Sequence, residues 1–220
     1  MTLRNLIGTA AIALSATAIG LSQPASATVL YDNGPLSGAV DAFTINYGFS
    51  VSDSFTLTQA ATVTGVNFGV WSQPNDVMQT VDWGITANPA DYVDNGTAAV
   101  TTNLTGAVDG KFNYYSLAND SFSTGSVHLA AGTYYLVLQN AVTNTGSPIY
   151  WDESDGASSA TESYIGNLAN YSAPNTTGSE SFQILGGAVP EPATWAVMLV
   201  GFGGVGAVMR SRRKLASAAA

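Results

Sequence analysis

The middle of the chain alternates apolar and polar residues with a period of two, and this pattern constrains it to β-structure. Phe55 and Leu57 alternate with serine and threonine between residues 54 and 58. The same alternation is found at three other apolar triplets, Val66/Phe68/Val70, Val81/Trp83/Ile85 and Tyr134/Leu136/Leu138. Successive side chains of a strand point to opposite faces of a sheet, so each segment predicts a strand with one buried face.

Further strand candidates are short and are separated by turn-forming residues. They lie at residues 111–117, 126–129, 149–152 and 181–185. Clusters of Asn, Asp, Gly and Pro between the segments are typical of turns, and the sequence shows no long amphipathic helix among them. Many short alternating strands predict an all-β fold, an antiparallel β-sandwich of the jelly-roll type.

The N-terminal residues have the pattern of a secretory signal peptide. Arg4 precedes a stretch rich in Ala, Leu and Ile at residues 6–21. Ala25 and Ala27 are small residues at the positions that signal peptidase reads. We therefore expect a signal-peptide helix within residues 1–27, cleavage by signal peptidase and a mature chain that begins at Thr28. An uncleaved N-terminal anchor is the alternative.

The C-terminal residues have the pattern of a membrane-spanning segment. Residues 193–209 form a run of 17 without a charge, which as a helix is about 25 Å long, the short end of what a bilayer core requires. Four basic residues follow within residues 210–214, and such a cluster favours the cytoplasmic side. The pattern predicts a transmembrane helix over 193–209 that ends in the cytoplasm, the alternative being a buried core helix.

Specific residues of this region occur in a recognisable order. They are Pro190, Glu191, Pro192, Trp195, Gly201, Gly203, Arg210, Arg212 and Arg213. In this order they closely resemble the PEP-CTERM sorting signal of Gram-negative bacteria. The resemblance implies an exported protein of the cell surface or extracellular space that is transiently anchored by its C-terminal helix and processed by exosortase near the Pro-Glu-Pro element.

These signals predict three parts of the chain. They are a signal peptide at 1–27, a β-sandwich domain at 28–187, and a PEP-CTERM sorting tail at 188–220 that contains the helix at 193–209 and the basic cluster at 210–214. The tail identifies how the protein is handled, whereas the sandwich has to be read for what the protein does.

The charge of the middle region excludes several partners. Five of the six basic residues lie in the terminal segments. Residues 28–188 therefore contain one basic residue, Lys111, and fourteen acidic residues, which gives a net charge of −13. Such a region repels nucleic acid and anionic membrane. The chain has no cysteine, so an exported domain of this kind depends on its hydrophobic core for stability.

Enzyme motifs are missing from the sequence, which predicts a non-catalytic protein. It has no G-x-S-x-G elbow and no H-E-x-x-H helix, and its single histidine, His128, excludes metal sites built from several histidines. We expect His128 to face away from Val127 and Leu129 in a strand. The alternative is a glycan-acting enzyme that uses a carboxylate pair, for which Glu153, Glu162 and Glu180 are available.

A short acidic segment is a weak candidate for a calcium site. Asp152, Glu153 and Asp155 precede Gly156 within five residues, and hard cations such as calcium favour oxygen-rich loops. The spacing does not match an EF-hand, so a solvated acidic loop is the alternative. No other cofactor is expected.

Three aromatic residues are candidates for ligand binding. Trp71 precedes a polar turn, and Tyr150 and Trp151 precede Asp152. A Trp or Tyr ring can serve as a platform for the apolar face of a sugar, with neighbouring polar groups binding the hydroxyls. Adjacent strand residues face opposite sides, so Tyr150 and Trp151 are not both expected in the core. Core packing is the alternative for each ring, and it is the expectation for Trp83.

Together these observations predict an exported, non-catalytic β-sandwich protein that contacts extracellular polysaccharide. The polysaccharide is implied by the association of the resembled family with exopolysaccharide production. A glycan-acting enzyme and a purely structural matrix component are the two alternatives.

Overall fold

The computed structural model of the chain describes residues 27–88, 91–164, 175–176, 178–188, 198–203 and 210. The predicted signal peptide lies outside the described residues up to position 26. Of the predicted transmembrane segment 193–209, residues 198–203 are described and are helical. No helix among the described residues has the length and apolar character that crossing a membrane requires.

The described strands account for the architecture. In chain order they are β1 (Thr28–Asp32), β2 (Ala42–Thr44), β3 (Phe49–Leu57), β4 (Ala61–Ser72), β5 (Met78–Asn88), β6 (Asp91–Ala99), β7 (Thr101–Val108), β8 (Ser116–Leu129), β9 (Gly132–Thr143), β10 (Ile149–Ser154), β11 (Thr161–Tyr164), β12 (Asn175–Thr176), β13 (Ser179–Glu180) and β14 (Phe182–Ala188).

The first sheet is built around β4. Strand β8 pairs along one side of β4, with β7 outside it. On its other side β4 pairs first with β14 and then, at residues 70–72, with β10. Strand β1 lies outside β14, while β2 and β13 pair with β10. These pairs are all antiparallel.

The second sheet has the order β12-β11-β3-β9-β5-β6, and it too is antiparallel. One continuous core lies between the sheets and contains residues of both. Trp83 of β5 stacks on Phe122 of β8, with ring centroids 6.2 Å apart. The predicted all-β fold with two antiparallel layers is therefore confirmed, while the finer expectation of jelly-roll connectivity stays a prediction.

The alternation in the sequence matches the two faces of the strands. Val66, Phe68 and Val70 are buried in the core, as predicted. Trp83 is also buried. Val127 and Leu129 are buried while His128 between them is exposed, which confirms the predicted orientation of the histidine.

Both ends of the described sandwich meet at one strand pair. Thr28 of β1 lies opposite Gly186 of β14, and its hydroxyl donates to the Gly186 carbonyl at 2.8 Å. Ala188, the last residue of β14, lies opposite Ala61 at the start of β4. The chain therefore enters the sandwich and leaves it at the same end of the first sheet.

Candidate functional site

Two loops cover one end of the outer face of the first sheet, on the side away from the core. Leu117, Trp71 and Tyr150 lie side by side there, across β8, β4 and β10. Trp71 is 1% exposed although it faces outward. The covering loops are residues 33–41 and 109–115, which we call the first and second loop.

Asp152 fixes the first loop to the sheet. Its carboxylate accepts hydrogen bonds from the backbone N–H groups of Ser37 at 2.7 Å and Gly38 at 2.8 Å, and from Trp71 Nε1 at 2.5 Å. Burial raises the pKa of Asp152, and the N–H donors act in the opposite direction. The loop packs so closely that a Cβ atom on Gly38 would lie 2.3 Å from Leu117 Cδ1.

Asp109 organises the second loop from within. Its carboxylate accepts hydrogen bonds from four backbone N–H groups, those of Phe112, Asn113 at 3.2 Å, Tyr114 at 2.9 Å and Tyr115 at 2.7 Å. Burial alone would raise the pKa of Asp109, but the four donors outweigh it and lower that pKa. Asn113 takes a left-handed conformation with φ of 51°, which asparagine adopts more readily than most residues.

The two loops are also joined to each other. The Gly110 N–H donates to the Gly38 carbonyl at 2.6 Å. Lys111 forms an ion pair with Asp41 at 2.5 Å, and its ammonium group lies 5.4 Å from the centroid of the Phe112 ring. The loops therefore form one hydrogen-bonded unit on the outer face.

Four aromatic rings lie together at this end of the outer face, and we call them the aromatic platform: Phe112, Tyr114 and Tyr115 of the second loop and Tyr150 of β10. Ring centroids are 5.9 Å apart for Phe112 and Tyr115, 5.1 Å for Tyr114 and Tyr115, and 5.3 Å for Tyr115 and Tyr150. Phe112 is 57% exposed and Tyr114 is 49% exposed. Large apolar groups exposed together in this way mark interaction sites more often than scattered ones do.

Trp71 forms the floor of the platform. Its ring centroid lies 6.4 Å from that of Phe112 and 6.0 Å from that of Tyr115. Burial raises the pKa of Tyr150 to about 12, and the neighbouring Tyr115 adds to the shift. The Tyr150 hydroxyl therefore stays neutral at any physiological pH, where it can both donate and accept a hydrogen bond.

The three aromatic residues that the sequence offers as ligand-binding candidates lie in different environments. Tyr150 is half-buried and belongs to the platform. Trp71 is buried beneath it, and Trp151 lies in the core against Phe68 and Phe182. The indole rings of Trp71 and Trp151 are both buried, because loops cover the first and the opposite sheet covers the second.

Sequence reasoning missed the second loop. The strand predicted at 111–117 is wrong over residues 111–115, since β8 begins at Ser116. The Asp109 carboxylate takes the N–H groups that a strand would offer to its neighbour. The signal in the sequence was an aspartate followed by glycine and then by three aromatic residues within six positions.

The acidic segment does not converge on a metal ion. Asp152 binds the first loop on the outer face, Glu153 accepts a hydrogen bond from the Gly178 N–H at 2.7 Å, and Asp155 is exposed. Among the residues that the structure describes, no group of three or more His, Cys, Asp or Glu side chains could hold a metal ion.

The carboxylates named for a glycan-acting enzyme are placed on both sheets. Glu153 of β10 lies directly opposite Glu180 of β13, and opposed strand residues have their Cβ atoms about 5 Å apart. Glu180 is completely buried. Glu162 lies on β11 of the second sheet, opposite Val51.

Asp120 is a buried carboxyl group with a strongly raised pKa. It lies on the same face of β8 as the core residues Ala118 and Phe122, so its side chain faces inward. It is 1% exposed. Neither of its oxygens has a hydrogen-bond partner in the described part of the chain. Burial raises the pKa of Asp120 to about 7, while the nearby Thr102 hydroxyl acts in the opposite direction.

Comparison with known families accounts for the C-terminal end of the chain. The PEP-CTERM protein-sorting motif matches residues 188–214, which include all nine residues singled out from the sequence. A search of curated proteins gives no match. The motif indicates export to the cell surface or extracellular space with processing by exosortase. The chain thus ends in a PEP-CTERM protein-sorting motif, as its sequence predicts.

Proposed function

We propose that the exported sandwich is a non-catalytic protein that binds extracellular polysaccharide through the aromatic platform. The observation that carries the proposal is the exposure of Phe112 and Tyr114 beside Tyr115 and Tyr150, on a loop held by its own hydrogen bonds. Aromatic rings offer a large apolar surface with few rotatable bonds, which suits the C–H faces of sugar rings.

The geometry of the rings supports a binding role. The planes of Tyr114 and Tyr115 meet at 84°, and those of Phe112 and Tyr115 meet at 80°. The rings therefore do not stack face to face on one another. An outward-facing loop of this kind would leave apolar surface exposed to water at some cost, unless a ligand covers it.

The loop is also well prepared for binding. Four N–H groups are fixed by Asp109, and the Lys111–Asp41 ion pair joins the second loop to the first. A binding surface that is already ordered loses less conformational entropy when it takes up a ligand. Such preorganisation favours recognition of a repeating polymer by a small number of rings.

The charge of the sandwich defines the class of polysaccharide. The net charge of −13 between residues 28 and 188 opposes an acidic polymer at physiological ionic strength. Lys111, the one basic residue of that region, is already paired with Asp41. We therefore expect a neutral polysaccharide as the ligand.

Affinity electrophoresis of the full-length chain tests the proposal. Gels containing dextran, galactomannan or hydroxyethylcellulose are compared with gels containing alginate. We expect at least one neutral polymer to retard the chain, and Phe112→Ala and Tyr114→Ala to weaken that binding roughly two- to tenfold each, since an aromatic contact is worth about 0.5–1.5 kcal/mol.

The matched control for these variants is Tyr92→Ala. Tyr92 lies in β6 of the second sheet and is 48% exposed, close to the value for Tyr114. Loss of binding in the platform variants with unchanged binding in the control supports the proposal. Equal migration of all variants on every polymer contradicts it and favours a purely structural matrix component.

A glycan-acting enzyme is a second candidate because β10 and β13 bring Glu153 and Glu180 together. Retaining glycosidases place their two carboxyl groups about 5 Å apart. This candidate predicts release of reducing ends from a neutral polysaccharide, and its loss in Glu153→Gln. Retention in the gel without any release of reducing ends favours the binding protein.

A further inference from the structure

We infer that a cavity beside the platform is a second subsite, which binds one uncharged sugar residue of the same polysaccharide; this rests on the proposed function. The cavity lies over strands β7, β8, β4 and β14 and has a volume of about 360 Å³. That volume falls within the range of small-molecule sites.

A glycine on the outer face of the sheet lets residues that line the cavity pack closely against the strands. Asn103, Asn119 and Gly69 lie opposite one another in a row across β7, β8 and β4. A Cβ atom on Gly69 would lie 2.2 Å from Ser181 Oγ and 2.9 Å from Leu36 Cδ1. Any larger residue at this position would clash with Ser181 and Leu36, two residues that line the cavity.

The side chains around the cavity are uncharged and polar. Asn103 and Asn119 are exposed, and within the described part of the chain neither amide group makes a hydrogen bond. Asn67 and Gln183 are joined by a hydrogen bond of 3.3 Å. An amide has both donors and acceptors, and so has a sugar hydroxyl, so the two kinds of group are complementary.

A buried hydroxyl and a leucine complete the floor and one wall of the cavity. Ser181 is 1% exposed, and its Oγ atom lies over Gly69, close enough to the Asp152 carboxyl group to oppose the rise in the pKa of that group. Leu36 adds an apolar wall from the first loop. Asp120 borders the cavity through its backbone, because its side chain alternates with those of Asn119 and Ser121 and faces the core.

The cavity and Trp71, the floor of the platform, lie on the same face of β4. Gly69 and Trp71 are two residues apart in β4 and both face outward, which separates them by about 7 Å. The first loop contributes to both, since Leu36 borders the cavity while Ser37 and Gly38 are held by Asp152 above Trp71. A polysaccharide lying on the platform can therefore extend a neighbouring residue into the cavity.

The test compares the platform and the cavity on oligosaccharides of increasing length. The polymer that retards the full-length chain is partly hydrolysed, and its di- to octasaccharides are titrated by calorimetry. We expect the double variant Asn103→Ala with Asn119→Ala to bind the octasaccharide roughly tenfold more weakly, because two hydrogen-bonding amide groups are lost, and to bind the disaccharide as the parent does.

The control is Gln79→Ala, which removes an exposed amide from β5 of the second sheet. Thermal unfolding of each variant shows whether the fold is kept. If the double variant binds every length like the parent while Phe112→Ala binds weakly, the cavity is not a subsite and the platform stands. If no polymer retards the parent chain, the platform proposal fails and the subsite fails with it.

Discussion

Asp120 is a residue whose environment opposes its charge. Its carboxyl group faces the core without a hydrogen-bond partner in the described structure, and burial raises its pKa to about 7. The folded state therefore binds a proton at Asp120 more tightly than the unfolded chain does. The contribution of Asp120 to stability is greatest where both states are protonated, falls as the pH rises from about 4 to about 7, and is constant above that.

The variant Asp120→Asn should remove this dependence. The shift corresponds to about 4 kcal/mol at most, so at pH 8 we expect the free energy of unfolding to exceed that of the parent by up to this amount, with little difference at pH 4. Urea unfolding at both pH values measures it. Asp155→Asn, at an exposed position, is the control, and an equal difference at both pH values would contradict the expectation.

At the scale of elements, the second loop depends on a single carboxylate. Asp109 accepts four backbone hydrogen bonds, and its pKa is lowered. A carboxyl group with a depressed pKa in the folded state stabilises it above about pH 4, and this contribution is lost as the pH falls through the folded-state pKa. The loop, and with it the platform, should therefore loosen in acid.

Asp109→Ala should disorder the second loop and leave the sheets intact. We expect the free energy of unfolding at pH 7 to fall by about 1–3 kcal/mol, the cost of leaving such donors without their acceptor. Amide hydrogen exchange should become faster for residues 112–115 and stay slow in β4. Slow exchange in both segments would show that the ring contacts hold the loop without Asp109.

An element can be predicted from the sequence when its own residues determine it, and it cannot when distant residues do. Strand β4 follows its own alternation, so Val66, Phe68 and Val70 could be placed in the core without knowing their neighbours. Aromatic residues favour strands, so local preference predicts a strand at residues 111–115, where the hydrogen bonds of Asp109 hold a loop instead. Trp71 could not be placed, because the loops that cover it come from positions more than thirty residues away in the sequence.

At the scale of the whole molecule, the first and last strands lie side by side. Thr28 of β1 lies opposite Gly186 of β14, and the sorting motif matches from residue 188 onward. Both predicted processing points therefore flank the same strand pair. Removal of either terminal segment there leaves the described strands uncut.

This arrangement gives a prediction for the processed protein. Intact mass and terminal sequencing of the chain recovered from the cell surface should show a species that begins at Thr28 and ends near residues 190–192. Its thermal unfolding should match that of the unprocessed chain, because β1 and β14 are retained whole. Recovery of residues 210–220 on the surface form would contradict processing.

The length of β4 separates the start of the sorting tail from the aromatic platform. Ala188 lies opposite Ala61 at one end of β4, while Trp71 beneath the platform lies ten residues further along the same strand, about 33 Å away. A chain anchored by its tail would therefore carry the aromatic platform at the other end of β4 from the start of the tail. Cutting the tail would change the attachment of the protein and leave the residues of the aromatic platform unchanged.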